Sequence, residues 1–390
     1  MLFRCRTVEV GVERDEVIRV PADGALVLMY PCEGTNPMRR ILLTAAMLGV
    51  TTFGSAGLEA QTDISARGAT LRIGGRLQSQ YWTSFVDGSD SDFFIRRARL
   101  SIDMTFTDFV TGKVLADFSS GQAKPLDAYV RLNFSNTFRV SFGQFKRSFD
   151  LFELSSSTDL SLIERTGKIG GYDNCAGVGR LCSYSRVTEG LMLSGRDTGI
   201  KFDGSSGRVS YQATVTNGTA IGTTDVNDGK SFAGRASFMA RDDVQLSGNL
   251  TVKDYLDPSD ETAYAFAWGG DVQVGMWRDG ILLQVAVVSG DNWQSLDPTS
   301  QAPGTFTAGQ VAISYYFPIQ NDRIIGIEPI GRVSVVNPDD TQLDVNGTLV
   351  TPGLMFYFLG KNKFGFNYDY YLPQGGDAVS TFRFGTFLYF

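Results

Sequence analysis

From Thr70 onward the chain alternates apolar and polar side chains in segments of about 8 to 14 residues, and a period of two means extended strands with two unlike faces. Between Phe94 and Phe106, one side collects Phe94, Ala98, Leu100, Ile102, Met104 and Phe106, and the other Arg97, Arg99, Ser101, Asp103 and Thr105. Arg96 breaks the alternation near the start of that strand, where a long side chain can still reach water. The same split separates Val209, Tyr211, Ala213 and Val215 from Arg208, Ser210, Gln212, Thr214 and Thr216. Sixteen such segments follow one another, from about 70–86 to 377–390. Gaps after even-numbered segments are mostly tight, as at Ser135 to Thr137, Gly204 to Gly207 and Arg241 to Asp243; those after odd-numbered segments are mostly longer and polar, as at Gly218 to Lys230 and Asn337 to Asn346. A water-soluble sandwich would also alternate. Short turns on one side and long loops on the other predict instead an all-β fold, a transmembrane antiparallel β-barrel of about 16 strands, in the outer membrane of a Gram-negative bacterium.

The last segment supports the same reading. Phe382, Phe384, Thr386, Leu388 and Phe390 alternate up to a terminal aromatic residue, the kind of final strand that outer-membrane proteins present to their assembly machinery. Closure also follows from energetics: in hydrocarbon each unpaired backbone N–H or C=O costs several kcal/mol, so the first and last strands must pair.

One gap, residues 147–195 after the fifth segment, is far longer than the rest. A loop of this length is usually functional, and in such a barrel it can fold inward and narrow the bore; we read it as a long constriction loop, an exposed surface loop being the alternative. It holds Cys175 and Cys182, which in an oxidising compartment read as a local disulfide, with two free thiols as the alternative. Ahead of the strands, Arg39 and Arg40 lead into the apolar run Ile41 to Val50 and then small residues, the order of a secretory signal peptide over 38–60, with cleavage after Ala56 or Ala60. Residues 1–37 read as a gene-start extension, and 61–390 as the barrel.

Composition removes several chemistries. The chain has no histidine, so a Ser/His/Asp triad, a histidine base and any histidine-containing metal or haem site are excluded, and we expect no enzyme, no cofactor and no metal. A net charge of −7 is the wrong sign for a surface that grips nucleic acid. Setting aside residues 1–60, with six basic and seven acidic side chains, leaves the remainder acidic at 29 against 35.

Charge placement runs against that total. If apolar side chains face lipid, the first five strands turn Arg72, Arg76, Arg97, Arg99, Lys113, Arg131 and Arg139 inward against Asp103, Asp117 and Asp127. The other strands are nearly balanced, with Lys201, Arg208, Arg235, Lys253, Arg332 and Arg383 against Asp197, Asp203, Asp271, Glu328 and Asp369. A pore-lining basic wall of this kind attracts anions, and arginine can hold phosphate or carboxylate through two parallel donors; the alternative is that the charges solvate the lumen and pair with neighbouring carboxylates.

The segments IGGRLQ (73–78), DFFIRRARL (92–100), KVLADF (113–118), DAY (127–129), VSFGQFK (140–146) and FELSSSTDLSLIER (152–165) together resemble the phosphate-selective porin O and P family of Gram-negative outer membranes. The close match covers about residues 71–166; beyond it the agreement is in strand rhythm and the terminal Phe390. The resemblance implies a sixteen-stranded, homotrimeric porin for small anionic or hydrophilic solutes, seated in outer-membrane lipid, with anion or phosphate preference in some members. The expectation is passive diffusion of such solutes; the competing reading is a non-conducting structural or adhesin barrel.

Overall fold

The computed structural model describes residues 62–66, 68–297, 300 and 302–390. The segments read as gene-start extension and signal peptide lie outside the described residues.

Among the described residues, eighteen strands form one sheet. The chain-order strands are β1 (Thr62–Ala66), β2 (Ala69–Ser84), β3 (Ser91–Thr105), β4 (Val110–Asp117), β5 (Lys124–Ser135) and β6 (Phe138–Lys146). After residues 147–195 come β7 (Arg196–Ser206), β8 (Val209–Thr216), β9 (Ser231–Arg241), β10 (Val244–Leu256), β11 (Thr262–Met276) and β12 (Asp279–Leu296). The last are β13 (Pro303–Tyr315), β14 (Phe317–Pro318), β15 (Gly326–Asn337), β16 (Gly347–Tyr357), β17 (Lys363–Pro373) and β18 (Val379–Tyr389). β14 continues the line of β13 along β15, and β1 pairs only with the first part of β2, so sixteen strands make the barrel wall. Every pairing is antiparallel, and β18 pairs with β2 to shut the ring.

Two-residue turns at 136–137, 207–208, 242–243 and 277–278 lie at one end, and 147–195 and 217–230 lie at the other. On the outer face Phe142, Trp268, Val287, Val335 and Leu388 stand exposed. Each large apolar side chain removed from water contributes about 1.5–3 kcal/mol, so this belt is stable against hydrocarbon and costly in water. Among the described residues no helix is long and apolar enough to cross a membrane; the strands do the crossing.

One facing assignment changes. The β2–β3 register slips between Gln78 and Ser79: Gln78 pairs with Arg97 but Ser79 with Ile95, which leaves Arg96 as the extra residue of a β-bulge. The bulge shifts the phase of the alternation. Phe94 therefore stands opposite the inward Gln80 rather than on the lipid side with Ala98 and Leu100, while Phe93 and Ile95 take the exposed outer positions.

Candidate functional site

Residues 147–195 carry two short helices, α1 (Leu151–Leu154) and α2 (Tyr184–Gly190). Asp150 caps α1 by accepting from the N–H groups of Phe152 and Glu153, and Ser183 caps α2 by accepting from that of Arg186. Cys175 and Cys182 are joined by a disulfide. The segment packs against the inner faces of the barrel. Tyr184 N–H donates to Ser334 Oγ at 2.7 Å, Trp293 Nε1 to the Leu191 carbonyl at 2.8 Å, and Asn292 Nδ2 to the Ala176 carbonyl at 3.2 Å. These partners sit toward the long-loop end. Toward the short-turn end, Ile163 N–H donates to Asn367 Oδ1 at 2.6 Å, Ser161 Oγ to Glu328 at 2.7 Å, and Lys363 Nζ to the Thr158 carbonyl at 3.0 Å. The segment thus descends through much of the depth of the lumen.

Its docking on β9–β17 is apolar as well as polar. Phe149, Phe152, Leu181, Val187 and Leu191 bury against Phe306, Val336 and Leu349 and against inward alanines at 233, 267, 286, 308 and 312. Small side chains on the wall leave the room that the loop fills. Beside them, Asp369 accepts from Arg332 at 3.1 Å and from Arg383 at 2.8 Å, all three buried. Arg332 also donates to the carbonyls of Glu164 and Arg165, and Arg383 to that of Lys168.

Opposite, along β2–β7, the lumen stays open as a cavity of about 930 Å³. Its lining runs from Ser119, Ser120 and Ile221 at the long-loop end to Lys361 in the turn after β16. It contains ten basic side chains and five carboxylates.

Four of the seven expected wall residues line this cavity: Arg76, Arg97, Arg99 and Lys113. Arg72, Arg131 and Arg139 stand outside its lining, nearer the turn end of the strands, and the latter two share Asp203 at 3.2 and 2.7 Å. The wall is laced with carboxylates. Arg99 Nε donates to Asp117 at 2.5 Å and Lys113 to Asp103 at 2.8 Å. Arg97 lies 3.6 Å from Glu164 of the loop, and Arg76 donates to Ser157 Oγ.

Arg96, outside the expected set, makes a two-pronged clasp on the loop: its Nε and Nη2 donate to the two Glu164 oxygens at 2.6 and 3.3 Å. The signal that could have found it is the phase shift between Phe93/Ile95 and Ala98/Leu100, which requires a bulge at the arginine pair. Arg196, at the first position of β7, holds Asp127 at 2.6 Å and also lines the cavity. Burial alone would raise the Glu164 carboxyl; Arg96 and Arg97 outweigh it and hold it well below the usual carboxylate range. Glu189, also in the lining, is pushed up by burial and then by the charge of Glu153.

A closed barrel with an apolar exterior and a charged cavity along its lumen is the build of an outer-membrane porin, a channel for passive diffusion of small hydrophilic solutes. Residues 71–264 match the family model described as phosphate-selective porin O and P. No curated protein matches. Among solved structures, the outer-membrane channel DcaP of Acinetobacter baumannii is similar at 13% identity, covering 84% of this chain and 100% of that one, with a TM-score of 0.59. OmpF of Salmonella typhi, in complex with daunomycin, matches at 11% identity over 84% and 100%, with a TM-score of 0.58. The trimer form of OmpT of Vibrio cholerae matches at 12% over 83% and 100%, with a TM-score of 0.53. At these identities the likeness is one of fold.

Proposed function

We propose that the passage along β2–β7 is a general-diffusion pore with an anion bias, in which residues 147–195 act as the constriction and Arg76, Arg96, Arg97, Arg99 and Lys113 as the basic side of the narrow zone. The observation that carries this reading is the ratio of ten basic to five acidic side chains around the passage in a chain whose net charge is −7. In a water-filled bore with low-dielectric walls such an excess raises the local anion concentration. Arginines already paired with carboxylates contribute position more than charge, so the bias is modest rather than absolute. Phosphate and carboxylate solutes fit the forked donors of the arginines, and the family match supports phosphate among them. The exposed apolar belt seats the barrel in outer-membrane lipid, and the trimer form of the similar OmpT supports a homotrimer.

Reconstitution of the refolded mature chain in a planar bilayer under a salt gradient tests the proposal. The reversal potential should carry the sign of anion preference. Arg97→Gln with Arg99→Gln should lower the anion-to-cation permeability ratio by roughly threefold, as expected for removing two charges from a screened bore. Cation preference in the unaltered protein, or a ratio unmoved by the double change, rejects the reading. A barrel with no conductance would instead favour the structural or adhesin alternative.

A further inference from the structure

Behind the loop, on the side away from the basic wall, lies a second cavity of about 210 Å³ that the anion passage does not use. Its wall side is built from β11, β12 and β13. Gln273, Gln284 and Gln310 stand on those three strands, and Gln284 Nε2 donates to Gln273 Oε1 at 2.9 Å. Ser185 of α2 closes the loop side. Among the described residues two charged side chains reach the lining, and both are engaged elsewhere: Asp159 accepts from Lys361 at 2.9 Å, while Arg165 donates to the carbonyls of Phe152 and Ser155 at 2.7 and 2.5 Å.

The remaining polar surface is neutral, made of amides that both donate and accept. It is also incompletely satisfied. Gln310 and Ser185 are 3% and 4% exposed, yet Gln310 Oε1 and Ser185 Oγ have no hydrogen-bond partner. An orphaned buried acceptor beside a cavity is a place for a hydroxyl group. Leu282 and Ile330 supply apolar surface next to it. At roughly 30 Å³ per water, the volume corresponds to about seven waters, the scale of a single sugar ring. Ser156, Arg165 and Ser185 belong to the linings of both cavities, so the small one adjoins the main passage.

We propose that this cavity binds a small uncharged polyhydroxylated solute, with Gln310 Oε1 accepting from one hydroxyl and Gln284 and Ser185 orienting the others. An ion would find no free counter-charge there; a sugar-like molecule finds paired donors and acceptors with an apolar flank. The proposal does not depend on the sign of the channel's selectivity.

The test uses the refolded chain in detergent and D-glucose as the probe, read by saturation-transfer NMR, with inorganic phosphate as competitor. The expected result is saturable binding that phosphate does not displace, weakened about tenfold by Gln310→Leu, which removes the acceptor while keeping bulk. If Gln310→Leu does not yield the heat-modifiable barrel, Ser185→Ala takes its place, with a weakening in the same direction. Absence of saturable binding, displacement by phosphate, or equal affinity in the folded variants overturns the proposal, the last two because the probe would then sit in the charged passage or in no defined site. Cation-selective reversal potentials combined with intact glucose binding would remove the anion reading alone.

Discussion

The two halves of the lumen obey opposite rules although they belong to one sheet. Along β2–β7 the inward positions carry long cations, and space is left beside them; along β9–β17 many inward positions are alanine, and the loop occupies the space. The alanines on the wall leave room for the loop's apolar side chains on the packed side. Long charged groups meet the loop only through polar contacts such as Arg96 to Glu164, while small apolar ones allow close packing of Phe149, Val187 and Leu191. The two rules meet at Glu164, which reaches across from the packed side to Arg96 and Arg97.

The largest break in this contrast comes from Asp369. Asp369→Asn leaves Arg332 and Arg383 buried without their carboxylate and loosens the two side chains that hold the loop carbonyls. Removing one partner of a buried ionic group costs about 3–5 kcal/mol. Thermal unfolding in detergent should show that loss, together with a rise in single-channel conductance as the loop leaves its seat; unchanged values for both would mean that the packed half is held by its apolar contacts alone. A smaller effect is expected from Ala308→Leu, which forces added bulk between wall and loop at a fully packed site. Overpacking of this kind costs about 1–3 kcal/mol, and the same melting experiment reads it. The opposite change on the open side, Lys113→Leu, should melt close to the unaltered protein.

The smallest effect is on selectivity with pH. A carboxyl whose folded pKa is raised becomes neutral first as pH falls, and one whose pKa is depressed keeps its charge longest. Glu189 is of the first kind and Glu164 of the second. Glu164 therefore contributes its stabilisation throughout the range above ordinary carboxylate values and loses it only as pH falls through its lowered pKa. Acidifying from neutral toward the carboxylate range should increase anion preference by discharging Glu189 while the loop stays clasped. Glu189→Gln should reproduce that increase at pH 7 and flatten the profile; a profile equally steep in the variant would assign the titration to another group.

Much of the fold was legible because strand alternation is local. The succession of segments, the tight turns and the closing strand all follow from neighbours in the chain. The lumen was less legible. The facing of Phe94 was lost because one inserted residue at the arginine pair reverses the phase of the residues before it relative to those after, and the pattern on either side had to be compared to see it. Asp203, counted with the later strands, is the partner of Arg131 and Arg139, because β7 lies beside β6 with Arg139 opposite Asp203. The path of the loop depends on contacts such as Ile163 to Asn367 and Ser161 to Glu328, which join residues far apart in sequence. No periodicity records them. The inward alanines at 233, 267, 286, 308 and 312 carry no polarity that alternation could register, so their part shows only against the packed loop.

The meeting of β2 with β18 also bears on how the molecule is made. The backbones of Gly75 and Phe390 exchange hydrogen bonds at 2.8 and 3.2 Å, and the Phe390 ring lies where a Cβ on residue 75 would have to sit. A ring joined at that seam is complete only when its final stave reaches the first. Loss of β18 as a whole would leave the backbone edges of β2 and β17 without their neighbours, a hoop with no clasp.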